Sequence, residues 1–418
     1  MPRRATIPAV VAASAVVAAF ATAAACHAQP AAQPVPPVPT SAAGRTPDLE
    51  TSPPPERVMP ADAVILQRGT VAPGSPSIFL DWEGNRYLFA SEETRTVFRN
   101  DPVTFAARDG GACGRMGPLG GLGDARRYGI EEGLLYFFAS DDCMERFRKD
   151  PHRYMEPYDL LPTGSPEQQA AGLAAFSRWV QWCGGKDAVK SAERYAQTQS
   201  REVLSGGKRW ILTENIQVDG PRSMRRTDTW RRTEAPHEQL TASIETSDAA
   251  SVLVDGRGTR TLLVPSRREA FERSVNRLPY AILRARFRPE AGFLAIRIGD
   301  GPISGVDCDF VRTWFEGNAT NLAICKDTGE LVQMSYIGRN DDAQVGTITM
   351  NVLRSGDARA LRLPVQWAVF GEGQTQTQPG PEISIRIEGS GSGATQPVPT
   401  PAQGTPASPQ PGSQQPAR

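Results

Sequence analysis

The chain has 418 residues, 39% of them apolar, which allows two or three domains with buried cores. Its 46 basic residues equal its 46 acidic ones, so no net field draws it to nucleic acid or to an anionic membrane surface. His27, His152 and His237 are its three histidines, a scarcity that weighs against hydrolase triads and zinc enzymes.

Arg3 and Arg4 precede an uncharged run rich in alanine and valine, and small residues follow. This is the pattern of an export signal over residues 1–28, which places the protein in the periplasm or cell envelope. Two cleavage routes fit. Cys26 and Ala28 suit ordinary signal peptidase, and Ala24-Ala25-Cys26 resembles a lipoprotein box that would put lipid on Cys26. In the second case the membrane is reached only through that anchor. Residues 29–58 are rich in proline and alanine and read as an extended linker.

An internal repeat follows. Residues 83–102 (EGNRYLFASEETRTVFRNDP) and 132–151 (EGLLYFFASDDCMERFRKDP) align without a gap at an offset of 49, with ten identical positions in twenty. Each copy reads as a Glu-Gly turn, a short Tyr-x-Phe strand and a helix capped by Ser91 or Ser140. Phe98 or Phe147 anchors that helix, and Asp-Pro stops it. One copy cannot bury its own apolar face, so two packed copies are expected over residues 60–157.

The segment Ile78 to Met155 resembles the YHS family. Gly133, Tyr136, Phe138, Ser140, Phe147, Asp150, Pro151 and Tyr154 stand where that family has its turn, strand, cap and helix-stop residues. Its central Gly-Gly-x-Cys stands as Gly110-Gly111-Ala112-Cys113. The family's name-giving histidine is absent, since Phe137 lies between Tyr136 and Phe138. The resemblance implies heavy-metal handling. The sulfur ligands available for it are Cys113, Met116 and Cys143, a set that suits Cu(I), with zinc as the other ion to test. A disulfide between Cys113 and Cys143, or plain packing of Cys143 in the core, is the other reading. His152 follows the helix stop and reads as a surface residue.

From Ser165, a capping box with Pro166 and Gln168 opens a helix that ends at Gly184-Gly185. A short helix over Lys186 to Ala196 is expected next. Short alternating strands then follow, separated by turns such as Asp255-Gly256, Glu316-Gly317-Asn318 and Asp327-Thr328-Gly329. Ser266 to Arg284 reads as a helix laid across them. The arginines at 222, 225, 226, 231 and 232 read as a solvated face. Cys308 and Cys325 flank the Glu316 turn almost symmetrically, which makes them a second candidate disulfide pair. Cys183 is left over at the buried end of a helix.

The order of elements over 165–388 resembles the LolA/LolB-type lipoprotein carriers. That resemblance implies a half-barrel whose concave face holds acyl chains or is filled by its own side chains. Residues 389–418 read as a disordered tail.

The fold class expected is therefore α+β, a duplicated ββα module followed by a large curved antiparallel half-barrel with one or two packed helices. No Walker A loop, H-E-x-x-H or C-x-x-C motif is present, and no cofactor is required. The function expected is a non-enzymatic envelope protein that binds a lipid, a lipoprotein or a partner protein. The alternatives are a copper-handling protein and an accessory subunit of an envelope enzyme.

Overall fold

The computed structural model describes residues 55–389, except 56, 158, 206–207, 221, 248–249, 341–342, 359–360 and 372–379. The export signal with Cys26, nearly all of the proline-rich linker, and the tail beyond Gly389 lie outside the described residues. The linker expected to reach residue 58 ends sooner, because Arg57–Met59 already forms a strand, β1, parallel to β3 (Asn85–Phe89).

Between these lie α1 (Ala63–Gln67) and β2 (Ser75–Trp82), and β3 completes a three-stranded sheet in the order β1-β3-β2. Helices α2 (Glu92–Asn100) and α3 (Pro102–Phe105) follow. The second repeat copy supplies the hairpin β4 (Asp124–Glu131) and β5 (Leu134–Phe138), then α4 (Asp141–Lys149) and a 3-10 turn over Pro151–Tyr154.

The repeat is visible in the backbone. Glu83-Gly84 and Glu132-Gly133 both take positive φ, 47° and 80° in the first pair and 49° and 75° in the second. Two successive positive φ values make the tight hairpin turn whose twist matches the strands, and glycine adopts them without cost. Ser91 accepts a hydrogen bond from the Thr94 N–H at 3.2 Å, and Ser140 from the Cys143 N–H at 3.2 Å. Phe98 lies 4.7 Å from Tyr87 and 5.2 Å from Phe89, centroid to centroid. Phe147 lies 5.0 Å from Tyr136 and 5.1 Å from Phe138. The two copies share a strand. Leu135 and Phe137 of β5 join the first copy's core, while Tyr136 and Phe138 join Phe147.

Helix α5 (Pro166–Trp182) has the expected capping box, and α6 (Gly185–Ser191) follows. The helix expected as far as Ala196 stops at Ser191. The chain instead enters a fourteen-residue strand, β6 (Ala192–Ser205). Strands β7 (Lys208–Val218), β8 (Met224–Arg232), β9 (Gln239–Thr246), β10 (Ser251–Val254) and β11 (Arg260–Leu262) add antiparallel neighbours in sequence order. The single helix expected over 266–284 is two, α7 (Pro265–Asn276) and α8 (Pro279–Ala285), because Pro279 cannot continue the first.

A six-stranded antiparallel meander completes the fold. It comprises β12 (Leu294–Ile303), β13 (Val306–Phe315), β14 (Asn318–Cys325), β15 (Leu331–Arg339), β16 (Val345–Ala358) and β17 (Leu361–Gly371). The last strand, β18 (Ser384–Gly389), leaves this sheet for the other. The N–H groups of Gly380 and Ile383 donate to Trp367 and Val365 of β17 at 2.8 and 2.7 Å, and β18 itself pairs with β6. The seven-stranded sheet, β11-β10-β9-β8-β7-β6-β18, and the six-stranded sheet thus meet along one seam. They stay open at β11 and β12, not closed into a barrel. One apolar core joins both sheets to α5, α7 and α8. The class is α+β with large open antiparallel sheets and few helices. Among the described residues no helix is long and apolar enough to cross a membrane.

A candidate ligand cavity and a sulfur cluster

A cavity of about 200 Å³ lies between the two sheets, beneath α7 and α8 and beside the loop that carries Met116 and Leu119. Its walls differ in chemistry. Met334 and Tyr336 of β15, Met350 of β16, and Leu363, Trp367 and Val369 of β17 make one wall, which is apolar. On the opposite wall β6 presents every second residue inward: Tyr195, Gln197, Gln199 and Arg201. Glu214 and Ile216 of β7 and Arg226 of β8 join them.

The polar wall is a buried network. Arg226 donates from Nε to Asp228 at 2.8 Å and from Nη2 to Glu214. Gln199 donates to Glu214 at 2.8 Å. Burial pushes the Glu214 carboxyl above its ordinary range, against the pull of Arg226. Arg201 comes no nearer to Glu214 than 3.8 Å, and its Nε and Nη2 are buried without a hydrogen-bond partner. Tyr195 stacks on Tyr280 at 4.5 Å, and Tyr280 donates to the Ala192 carbonyl at 2.9 Å. Arg226, expected on a solvated face, is instead buried and charge-paired. Arg225 beside it points outward to Glu245 at 3.1 Å.

A second charged group closes the cavity against the repeat segment. Glu156 accepts from Arg273 of α7 and from Arg339 of β15, both at 3.0 Å. Arg339 also donates to the carbonyls of Tyr154, Arg115 and Ala343, at 2.7, 3.1 and 3.1 Å. Arg277 covers the Tyr336 ring at 4.5 Å and lies 3.6 Å from Asp159. Burial lowers the Arg277 pKa and raises that of Tyr336 to about 12, so the phenol stays neutral.

The sequence-predicted sulfur residues meet in a separate buried cluster. Cys113, Met116 and Cys143 pack with Tyr136, Phe138, Phe147 and Tyr154. Arg115 reaches Met116 Sδ at 3.7 Å and Cys143 Sγ at 3.9 Å. The hydrogen bond from the Cys113 thiol, then those from Ser140 and Arg115, hold the Cys143 thiol down to about 5 against the cost of burial. The same bond to Cys143, with burial, pushes the Cys113 thiol up.

Three sulfurs match the donor set of a soft monovalent ion better than that of zinc, which takes four nitrogen or sulfur donors. Among the described residues no group of three or more histidine, cysteine, aspartate or glutamate side chains is placed to hold a metal. His152 stands apart, 73% exposed and 3.9 Å from Glu132.

Neither candidate disulfide is formed in the structure. Cys113, Cys143, Cys308 and Cys325 are buried free thiols, as is Cys183. Cys308 and Cys325 are direct register partners across β13 and β14, as free thiols. Gly133 forms the hairpin turn, Tyr136, Phe138 and Phe147 the second copy's core, Ser140 the cap, and Asp150-Pro151 the helix stop.

No family model matches the chain, and no curated protein matches it. The YHS resemblance therefore rests on the residues alone. Solved structures do show similarity. A DUF1329 family protein from Desulfovibrio piger is 10% identical, with a TM-score of 0.35, over 52% of this chain and 92% of that one. A domain named for outer membrane lipoprotein sorting, from Vibrio parahaemolyticus, is 9% identical with a TM-score of 0.33, over 52% and 93%. A LolA superfamily protein from Nitrosomonas europaea is 6% identical with a TM-score of 0.27, over 48% and 92%.

Proposed function

We propose that this chain is an exported, non-enzymatic envelope protein. In this reading a duplicated YHS-like module over 60–157 is docked on an open two-sheet unit over 165–388 that binds one chain-like apolar ligand, a lipid or the acyl part of a lipoprotein. The observation that carries the reading is the cavity. About 200 Å³ between the sheets is faced by Met334, Met350, Leu363, Trp367 and Val369, with flexible methionines able to follow an irregular chain.

Native mass spectrometry of the protein purified from its own envelope tests it. An adduct of lipid mass is expected, and Met350→Trp, which fills the cavity from its apolar wall, removes that adduct while the fold persists. A bare native mass together with no uptake of added lipid overturns the reading.

A second reading is favoured by one further observation, the convergence of Cys113, Met116 and Cys143 beside Arg115. These residues would hold Cu(I) as a two-coordinate thiolate pair with a thioether nearby, the anionic complex balanced by the guanidinium. Titration of the reduced protein with Cu(I) against a chelator tests this. One tightly bound ion that is lost in Cys113→Ser supports it, and equal binding by wild type and Cys113→Ser excludes it.

A further inference from the structure

The two walls of the cavity ask for different parts of one ligand. The apolar wall would accept a hydrocarbon chain. The facing wall carries a charge network that an apolar chain would leave uncompensated, and charged groups keep such burial only when paired. Five arginines and two glutamates line the cavity. Most of these arginines are paired: Arg226 with Glu214 and Asp228, and Arg273 and Arg339 with Glu156.

Arg277 and Arg201 are less fully paired: Arg277 has Asp159 at 3.6 Å and the Tyr336 ring beneath it, with one buried nitrogen unpartnered, and Arg201 has neither a closer carboxylate nor a ring. The Arg201 side chain is 16% exposed, and two of its nitrogens are buried without a hydrogen-bond partner. Its one near carboxylate, Glu214, already receives Gln199 and Arg226. A buried guanidinium donor left without an acceptor loses its hydration with nothing in exchange, so an acceptor brought to it is favoured.

We infer that the ligand is an amphiphile with an anionic head, a carboxylate or a phosphate monoester. Arg201 receives the head at the β6 wall, and the chain lies along Met350 and Trp367. This inference rests on the cavity reading above. A guanidinium offers a planar pair of N–H donors to either anion, and the low polarity around it strengthens the bond.

Calorimetric titration of the lipid-stripped protein with dodecanoate, dodecyl phosphate and dodecanol tests it, because the three share a chain and differ in the head. Either anion is expected to bind at least tenfold tighter than the alcohol, and the tighter of the two identifies the head group. Arg201→Gln abolishes that preference and leaves dodecanol affinity unchanged, while Arg201→Lys keeps part of it. If Arg201→Gln does not fold, Glu214→Gln serves in its place. Removing the competing negative charge tightens anion binding severalfold and leaves dodecanol untouched. Equal affinity for alcohol and anions in the wild type overturns the head-group inference and leaves the cavity reading intact. Absence of binding by all three overturns both.

Discussion

Glu156→Gln separates the structural role of the junction charges from their effect on the ligand. Glu156 is 22% exposed and pairs with Arg273, also 22% exposed, and with Arg339, 9% exposed. Removing one member of a fully buried pair costs about 3–5 kcal/mol, and a solvent-exposed pair is worth about 0–1. These pairs lie between the two limits. Glutamine keeps one acceptor oxygen, and Arg339 keeps its three backbone carbonyls. A loss of about 2–3 kcal/mol follows, or about 3–6 °C in Tm for a chain of this size.

Scanning fluorimetry measures that shift, with Glu145→Gln as the control, since Glu145 and its partner Lys149 are both well exposed. Adding Arg273→Met should return part of the loss, because it removes the charge left behind. Binding should move the other way. With one negative charge gone from the cavity rim, dodecanoate affinity should rise severalfold, and the rise should shrink with added salt. A Tm within experimental error of the Glu145→Gln control would refute the argument that these pairs hold the repeat segment against the sheets.

Other substitutions follow from the same geometry. Phe98→Ala removes a buried ring packed on two aromatic neighbours and Phe147→Ala one packed on three, and each should cost about 3–5 kcal/mol, read by urea unfolding. Gly172→Ala places a Cβ 2.5 Å from the Ala295 carbonyl oxygen, so α5 must lift from β12. A loss of about 1–3 kcal/mol is expected in the same assay. Burial raises the Glu214 pKa, so the folded state binds that proton more tightly than the unfolded chain. Its contribution is fully present below the unfolded carboxylate pKa and is lost as pH rises through the folded one. Wild-type stability relative to Glu214→Gln should therefore increase as pH is lowered through the range just above ordinary carboxylates, measured by paired melts.

The legible parts of the fold were those in which local chemistry and tertiary structure agree. The Glu-Gly turns, the serine caps at 91, 140 and 165, and the apolar alternation of β13 to β17 could be read directly. The Cys308–Cys325 juxtaposition was legible because a symmetric hairpin fixes register. The illegible parts were β6 and the inward side of β8. In β6 the inward positions are Tyr195, Gln197, Gln199 and Arg201, so the expected apolar/polar alternation is inverted into a polar stripe; the helix expected over Lys186 to Ala196 overruns its first residues, and the rest carries no strand signal. Arg226 reads as solvated because its carboxylate partners are not adjacent in the chain: Glu214 is on the neighbouring strand, and Asp228 is two residues away on the same face. Misreading of this kind concentrates where a sequence departs from fold rules for another purpose. Here it falls on the polar wall of the cavity.

The repeat supplies its own control for the sulfur cluster. At the offset of 49, Cys143 occupies the position of Thr94, in the first turn of the repeated helix. Thr94 donates through its hydroxyl to the fully buried Asp62 at 2.6 Å, and Asp62 also caps α1 and receives the Ala90 N–H at 2.8 Å. The first copy thus fills this position with a polar bond that ties the helix to its surroundings, and no chemistry beyond structure is needed to explain it. The second copy keeps the same geometry and replaces oxygen with sulfur, Cys143 against Cys113, with Arg115 and Met116 added around them. A purely structural role could have been met by the arrangement already present in the first copy. The change from a threonine–aspartate contact to a thiol pair facing a guanidinium is therefore the feature of the repeat that packing alone does not explain, and it is why the Cu(I) titration is worth making alongside the lipid experiments.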